Sequence, residues 1–328
     1  SIRQLRGAFR VRRMTSLAAD IGGTFSRLSW TSTGGTAEQR FSNAEFDSLE
    51  AVIDQGLALH GLAGETIDEM VLALPGPVHC DPVVLTNINW RVQRAALQQR
   101  YRIRHLTIVN DFQAAALGAI AEPYERLKVL NAATPEEGPL VVAGAGTGLG
   151  MAWLPTSGFS GLPRATEGGH LDFAPNNARE LELHRWLSER YGHVSYERIL
   201  SGDGLLDTYR FLAGGDGQAA SPAQIKALAD RGDGHAGDAI RIFVDVFAGY
   251  AGNLALAFNP SAGIYLCGGL TAHLADWFDP TAFAIAFCNK GRMADVVRQI
   301  PVFLVTRQDT GLAGAKAILK KELQGRAT

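Results

Sequence analysis

The chain has 328 residues, 46% hydrophobic and 20% charged, which is the composition of an ordinary globular protein and excludes a disordered or fibrous one. Its 31 basic and 33 acidic side chains give a net charge of −2, so no electrostatic footprint for nucleic acid or an anionic membrane is present. The cysteines, Cys80, Cys267 and Cys288, are scattered without a CxxC pair, which argues against disulfides or a structural zinc site and predicts a cytoplasmic protein. The sequence predicts no membrane span, because no apolar run reaches the ~18 residues required.

Residues 1–14 precede the first predicted element. The first thirteen carry Arg3, Arg6, Arg10, Arg12 and Arg13 and no acidic residue. We interpret them as an unstructured leader or as a translation start placed upstream of Met14. An organellar transit peptide is the alternative, but the serine enrichment typical of such peptides is missing.

Strand and helix patterns alternate along the rest of the chain, which predicts an α/β protein. Strands are predicted at 16–20, 28–30, 70–74, 106–109, 140–143, 151–154, 264–267 and 302–305, and helices at 49–62, 114–121, 178–191, 239–258 and 312–323. A strand, a glycine turn and a second strand occur near residue 20 and again near residue 146. This repeat predicts two similar halves facing each other across a cleft. We expect a small α/β domain formed by residues 15–121 and 312–328, and a large one formed by 122–311.

Two glycine-rich turns could bind phosphate. In Asp20-Ile-Gly-Gly-Thr24, tandem glycines let backbone N–H groups approach an anion, and Asp20 could hold Mg²⁺ through water; a plain hairpin turn is an equal explanation. Four glycines in residues 144–150 favour a phosphate cradle, because each glycine costs backbone entropy. The segment continues as a strand and lacks GK[ST], so a dinucleotide fingerprint and a classical P-loop are not indicated.

Several polar residues could serve a second substrate. Asp111, after a predicted strand, could accept a proton from a hydroxyl group, although capping the next helix is the favoured explanation for that residue alone. Glu167 and His170, separated by two glycines, suit neighbouring hydroxyls on a sugar. Glu197 is a further acceptor or a solvated glutamate, and Gly268-Gly269 would let a flat base approach the backbone.

Taken in order, these segments resemble bacterial glucokinase, the ATP-dependent hexokinase group of the actin-like sugar-kinase superfamily. The matching segments are residues 17–24, 109–112, 144–150, 167–175, 192–202, 252–256, 266–270 and 309–314. They cover nearly the whole chain after Met14. The resemblance implies a two-domain actin-like ATPase fold, ribonuclease H-like in each half, with a central cleft.

The resemblance also implies an activity: transfer of the γ-phosphate of MgATP to the 6-hydroxyl of glucose, giving glucose 6-phosphate and ADP, the first step of glycolysis. Asp111 would be the catalytic base, and Asn110, Glu167, His170 and Glu197 would bind the sugar. The nucleotide would be bound by Ala19, Asp20, Ile21, Gly22, Gly23, Thr24, Gly146, Thr147, Gly148, Gly268 and Gly269. Asp20 would hold Mg²⁺ through water. The implied partners are small molecules, with a homodimer as an option.

This sequence departs from the family at one position and leaves other functions open. The family usually has Asn after GGT, whereas this chain has Phe25, which puts a polar contact of that loop in question. The cysteine-rich zinc loop of the related ROK sugar kinases has no counterpart. The alternatives are a kinase for another hexose or an N-acetylhexosamine, and a non-catalytic sugar- or ATP-binding regulator. An actin-like or chaperone ATPase is disfavoured by Glu167, His170 and Glu197.

Overall fold

The computed structural model describes residues 15–32, 34–86, 88–158, 160–215, 217 and 219–325, so the expected leader, residues 1–14, lies outside the described residues. The described chain divides into two units, residues 15–109 with 315–325, and residues 110–314. The predicted boundary after residue 121 would place residues 110–121 with the first half, whereas the contacts group them with the second unit.

The first unit is built on a five-stranded sheet in the order β3-β2-β1-β4-β7. Its elements are β1 (Thr15–Ile21), β2 (Phe25–Ser32), β3 (Gly35–Ser42), α1 (Leu49–Leu59), β4 (Ile67–Leu74), β5 (Val83–Val84), β6 (Arg91–Val92), α2 (Arg94–Tyr101) and β7 (His105–Asn110). Strands β1 to β3 form an antiparallel meander, and β4 lies parallel to β1. Every residue of β4 is buried, as expected for a parallel strand covered on both faces.

Helix α1 shows how the sequence determines packing in this unit. The hydroxyl of Ser48 caps the helix by accepting a hydrogen bond from the Ala51 N–H. The buried positions of α1 recur every three or four residues, which is the spacing of one helix face. Gly56 lies on that face against Trp30, where a Cβ atom would come within 2.0 Å of the indole ring. Only glycine therefore lets the helix approach the sheet this closely.

The second unit is built on a six-stranded sheet in the order β11-β10-β9-β12-β13-β8. Its elements are α3 (Asp111–Ile120), β8 (Leu127–Asn131), β9 (Leu140–Ala145), β10 (Leu149–Leu154), β11 (Arg164–Thr166), α4 (Ala178–Tyr191), α5 (Gly202–Leu212), α6 (Pro222–Asp230), α7 (Gly234–Phe258), β12 (Gly263–Cys267), α8 (Gly269–His273), α9 (Pro280–Phe287), α10 (Ala294–Arg298), β13 (Val302–Val305) and α11 (Thr310–Gly325), the last of which continues into the first unit. Strands β9 to β11 form an antiparallel meander, and β12 lies parallel to β9. Each sheet thus begins with the same arrangement of four strands, as the repeated pattern predicts.

Helix α7 is long and apolar enough to cross a membrane by length and composition alone, although the sequence analysis predicted no such segment. In the structure, 78% of its most apolar window is buried inside the protein. Phe243 and Phe247 of α7 contact each other and lie in the same hydrophobic core as Phe283 of α9. This burial is typical of the central helix of a globular core.

Candidate active site

Asn110 and Asp111 lie where β7 ends and α3 begins. The side chain of Asn110 caps α3: its Oδ1 accepts hydrogen bonds from the N–H groups of Phe112, at 3.0 Å, and Gln113, at 3.3 Å. The Gln113 side chain in turn accepts from the Asn110 N–H, which completes a capping box. The cap is therefore Asn110, and the alternative that Asp111 merely caps the helix is wrong.

Asp111 is the first residue of α3 and is half-buried. Burial raises the pKa of its carboxyl group above the usual value, and the nearby negative charge of Glu167 raises this pKa further. The hydrogen bond that its Oδ1 accepts from the Phe112 N–H, at 2.8 Å, acts in the opposite direction. The result is a carboxylate with a raised proton affinity, which is the property a general base requires.

Three predicted sugar-binding residues lie close together in the second unit. His170, in a 3₁₀ turn, places Nε2 3.8 Å from Glu167 Oε2 and Nδ1 3.9 Å from Glu197 Oε1. The side chains of Glu167 and His170 are 94% and 57% exposed, whereas Glu197 is 31% exposed. One imidazole between two carboxylates thus presents donors and acceptors to solvent, as recognition of a polyol requires.

Glu197 is linked directly to the glycine-rich segment. Its Oε2 accepts a hydrogen bond from the Leu149 N–H at 2.8 Å. A Cβ atom on Gly148 would lie only 2.6 Å from the same oxygen. Gly148 is therefore required beside the Glu197 carboxylate, and residues 144–150 and 196–198 form one continuous part of the site.

The glycines of residues 144–150 serve different purposes. Gly144 and Gly150 accommodate the ring of Phe112, because a Cβ atom would come within 2.7 and 2.2 Å of that ring, respectively. These two glycines let the start of α3 pack on β9 and β10. Gly146 differs, since a Cβ atom there would meet nothing within 4 Å, and Thr147 beside it is exposed. The open part of the turn, at residues 146–148, is thus the part available to a ligand.

Gly268 and Gly269 follow β12 at the same end of the sheet as this turn. Gly268 has a φ of +103°, and its Cβ atom would lie 2.3 Å from the carbonyl oxygen of Ala145. The strand therefore turns here through a conformation that only glycine adopts without strain. Gly269 begins α8 and has open space at its Cβ position.

The other predicted nucleotide-binding residues lie in the first unit. Ala19, Asp20 and Ile21 end β1, and the hairpin turn that follows is closed by a hydrogen bond from the Gly22 N–H to the Phe25 carbonyl at 2.9 Å. Asp20 lies 3.6 Å from the Arg27 guanidinium group on the paired strand. Phe25, the departure from the family, has its ring under the guanidinium group of Arg40 at 4.1 Å.

Asn43, which was not among the predicted site residues, is hydrogen-bonded to this turn. Asn43 is buried and follows β3, and its Nδ2 donates to the carbonyl oxygens of Gly22, at 2.8 Å, and Gly23, at 3.2 Å. Its Oδ1 accepts from the Ser26 hydroxyl at 2.7 Å. A single Asn in a polar segment carries no sequence signal for such a role.

Among the described residues, no group of three or more His, Cys, Asp or Glu side chains is arranged to hold a metal ion. A Mg²⁺ ion keeps most of its water and needs only one or two carboxylates beside substrate phosphates. Asp20, which is partly shielded from solvent and whose charge is shared with Arg27, fits such a water-mediated contact.

Comparison with known proteins identifies the family. A family profile described as "Glucokinase" matches residues 17–322. The glucokinase of Yersinia enterocolitica is 36% identical over 321 residues, which cover 94% of this chain and 98% of that protein. The crystal structure of a glucokinase from an Antarctic psychrotroph superposes with a TM-score of 0.78 at 29% identity, covering 94% of this chain and 99% of that one. A ROK family glucokinase from Streptomyces griseus, solved with glucose and AMPPNP, shares the fold with a TM-score of 0.63 at 18% identity, covering 94% and 99%.

The fold is the two-domain actin-like ATPase fold of the sugar kinases, with the same strand arrangement opening both sheets. Within that class, the chain belongs to the glucokinase family.

Proposed function

We propose that this chain transfers the γ-phosphate of ATP to the 6-hydroxyl of glucose, with Asp111 as the general base. The observation that supports this most directly is the carboxyl group of Asp111, held at the start of α3 with a raised pKa beside the Glu167 charge. Family membership supports ATP and glucose as the substrates. Cysteine usage predicts a cytoplasmic enzyme, and a homodimer remains a prediction.

In this proposal Asp111 accepts the proton of the attacking hydroxyl group as the O–P bond forms, and ADP leaves. Phosphoryl transfer requires little covalent chemistry from the protein, so positioning and charge neutralisation dominate. Glu167, His170 and Glu197 orient glucose in this proposal. Their ion pairs are long, at 3.8 and 3.9 Å, so their polar atoms can also bind hydroxyl groups. The exception is Glu197 Oε2, which accepts from the Leu149 N–H. Asn110 would contribute its remaining amide hydrogens to the sugar, since its oxygen is used in the cap.

ATP would be bound by two turns. The open turn at residues 146–148, with Gly268 and Gly269 nearby in the same sheet, would hold one part of the nucleotide. The turn at residues 22–24 would supply backbone N–H groups to phosphate oxygens. Mg²⁺ held through water by Asp20 would neutralise charge on the phosphates when bound.

A sugar panel tests the proposal. ADP release is measured with glucose, mannose, fructose and N-acetylglucosamine at several ATP concentrations. We expect glucose to give the highest kcat/KM. A higher value for another sugar would assign the chain to that substrate, and no sugar-dependent ADP release would favour the non-catalytic regulator.

Alanine substitutions at Gly146 and Gly148 test which part of the glycine-rich turn contacts the nucleotide and which part supports Glu197. We expect Gly146→Ala to raise the KM for ATP with no loss of stability, because its methyl group would enter only the open space reserved for ligand. We expect Gly148→Ala to raise the KM for both substrates, because its methyl group would displace the Glu197 carboxylate, which accepts from the Leu149 N–H and faces His170. Initial rates with both substrates varied distinguish the two, and equal effects of both variants on both KM values would contradict the assignment.

A further inference from the structure

The turn at residues 22–24 is hydrogen-bonded on one side to the side chain of Asn43. The side-chain nitrogen of Asn43 donates to the carbonyl oxygens of both Gly22 and Gly23. The side chain is itself fixed, because its Oδ1 accepts from Ser26 and its own N–H donates to the Thr24 carbonyl at 2.9 Å. Asn43 is 5% exposed, so these contacts are shielded from competing water.

These hydrogen bonds from Asn43 determine where the N–H groups of the turn point. In a planar trans peptide, the carbonyl of one residue and the N–H of the next point in opposite directions. With the carbonyls of Gly22 and Gly23 both directed at Asn43, the N–H groups of Gly23 and Thr24 are directed to the other side of the turn. Neither N–H has a hydrogen-bond partner in the part of the chain that the structure describes. Two adjacent N–H groups with one common direction form an anion-binding concavity.

We infer that Asn43 is a positioning residue for the nucleotide: it aims the N–H groups of Gly23 and Thr24 at phosphate oxygens of ATP. The inference rests on the proposed function, in which this turn binds the phosphates. The Phe25 ring stacks under Arg40, and the side-chain amide that contacts this turn belongs to Asn43.

The chain offers a matched control for the test. Asn131 in the second unit is also buried, and its Nδ2 also donates to two backbone carbonyls, of Arg298 at 3.0 Å and Ile300 at 2.7 Å. It pairs with Val302 at the start of β13, whereas Gly268 follows the far end of the adjacent strand β12. Removing either amide takes the side-chain donor from two backbone carbonyls, so both changes should lower stability. Only the Asn43 change should affect the nucleotide.

The experiment measures ATP affinity by calorimetry, KM for ATP and glucose, and melting temperature for Asn43→Ala, Asn43→Asp and Asn131→Ala. We expect both Asn43 variants to raise the Kd and KM for ATP about tenfold, the loss of about one hydrogen bond to a charged group. The KM for glucose should change less than about twofold. Asn131→Ala should lower the melting temperature and leave ATP binding unchanged.

Three results would overturn the inference. The first is an unchanged Kd for ATP in folded Asn43→Ala. The second is an effect confined to Asn43→Asp, which would indicate simple charge repulsion. The third is an equal loss of ATP affinity in Asn131→Ala. If neither Asn43 variant folds, Ser26→Ala removes only the hydrogen bond to Oδ1 and should raise the Kd for ATP about threefold; no change there also overturns the inference. Because the Kd for ATP is measured without turnover, a wild-type protein that binds ATP but does not phosphorylate glucose would refute the proposed function alone.

Discussion

Replacing Asp111 by Asn is expected to lower kcat about 10²–10⁴-fold, the usual contribution of a general base. The amide is nearly isosteric with the carboxylate but cannot take up the proton of the attacking hydroxyl group. Its oxygen can still accept from the Phe112 N–H, and the helix keeps its cap because that cap is Asn110. Folding and the binding of both substrates should therefore survive.

The measurement is turnover by coupled ADP release, with the melting temperature taken on the same preparation. Asn110→Ala is the control for stability alone, because it removes the cap and keeps the carboxylate, while its amide is also proposed to bind glucose. That variant should lose about 1 kcal/mol of stability. A stable Asp111→Asn protein with near-normal turnover would remove Asp111 from the mechanism.

The raised pKa of Asp111 predicts where activity is lost at low pH. A base works only when deprotonated, so kcat/KM should fall as the pH drops through the pKa of Asp111. Burial and the Glu167 charge raise this pKa, so the fall should occur above the pH at which an ordinary aspartate titrates. Glu167→Gln removes the negative neighbour and should shift the acid limb to lower pH, beside its effect on glucose binding. A limb that stays in place would show that Glu167 does not act on the base.

The strands that carry the site could be predicted from the sequence because apolar runs end there in glycine. Strands β1, β9 and β12 each combine an apolar run with a glycine turn, and the structure has them close to the predicted bounds. Strand β3 was not predicted, because most of its residues are polar and exposed and no alternation marks a buried face. Its importance lies in its end, since it delivers Asn43 to a turn some twenty residues earlier in the chain.

The glycine-rich segment shows the limit of reasoning from residue type. The sequence suggested one purpose, a phosphate cradle, for all four glycines. In the structure, Gly144 and Gly150 make room for Phe112, and Gly148 makes room for Glu197. These partners are distant in sequence, and the contacts exist only once α3 and the turn at residues 196–198 have packed on the sheet. Of the four, Gly146 alone has open space at its Cβ position, and phosphate binding there stays a prediction.

Replacing Glu197 by Ala is expected to lower kcat/KM for glucose about 10–100-fold, because a hydrogen bond to a charged group contributes about 1.5–3 kcal/mol. The carboxylate has two functions that this change removes together. Its Oε2 holds the Leu149 N–H, and its Oε1 faces His170 and the proposed sugar. Loss of Oε2 also leaves the partly buried Leu149 N–H group without its acceptor.

Glu197→Gln separates the two functions. The amide oxygen of Gln can still accept from the Leu149 N–H, so the glycine-rich turn should keep its conformation and the KM for ATP should stay near the wild-type value. Only the negative charge beside His170 is lost, so the remaining defect should appear in the KM for glucose. Glu189→Ala, an exposed change on α4, is the control for altered surface charge. If Glu197→Gln behaves as wild type while Glu197→Ala raises the KM for both substrates, Glu197 acts only by holding Leu149, and the sugar must be bound without it.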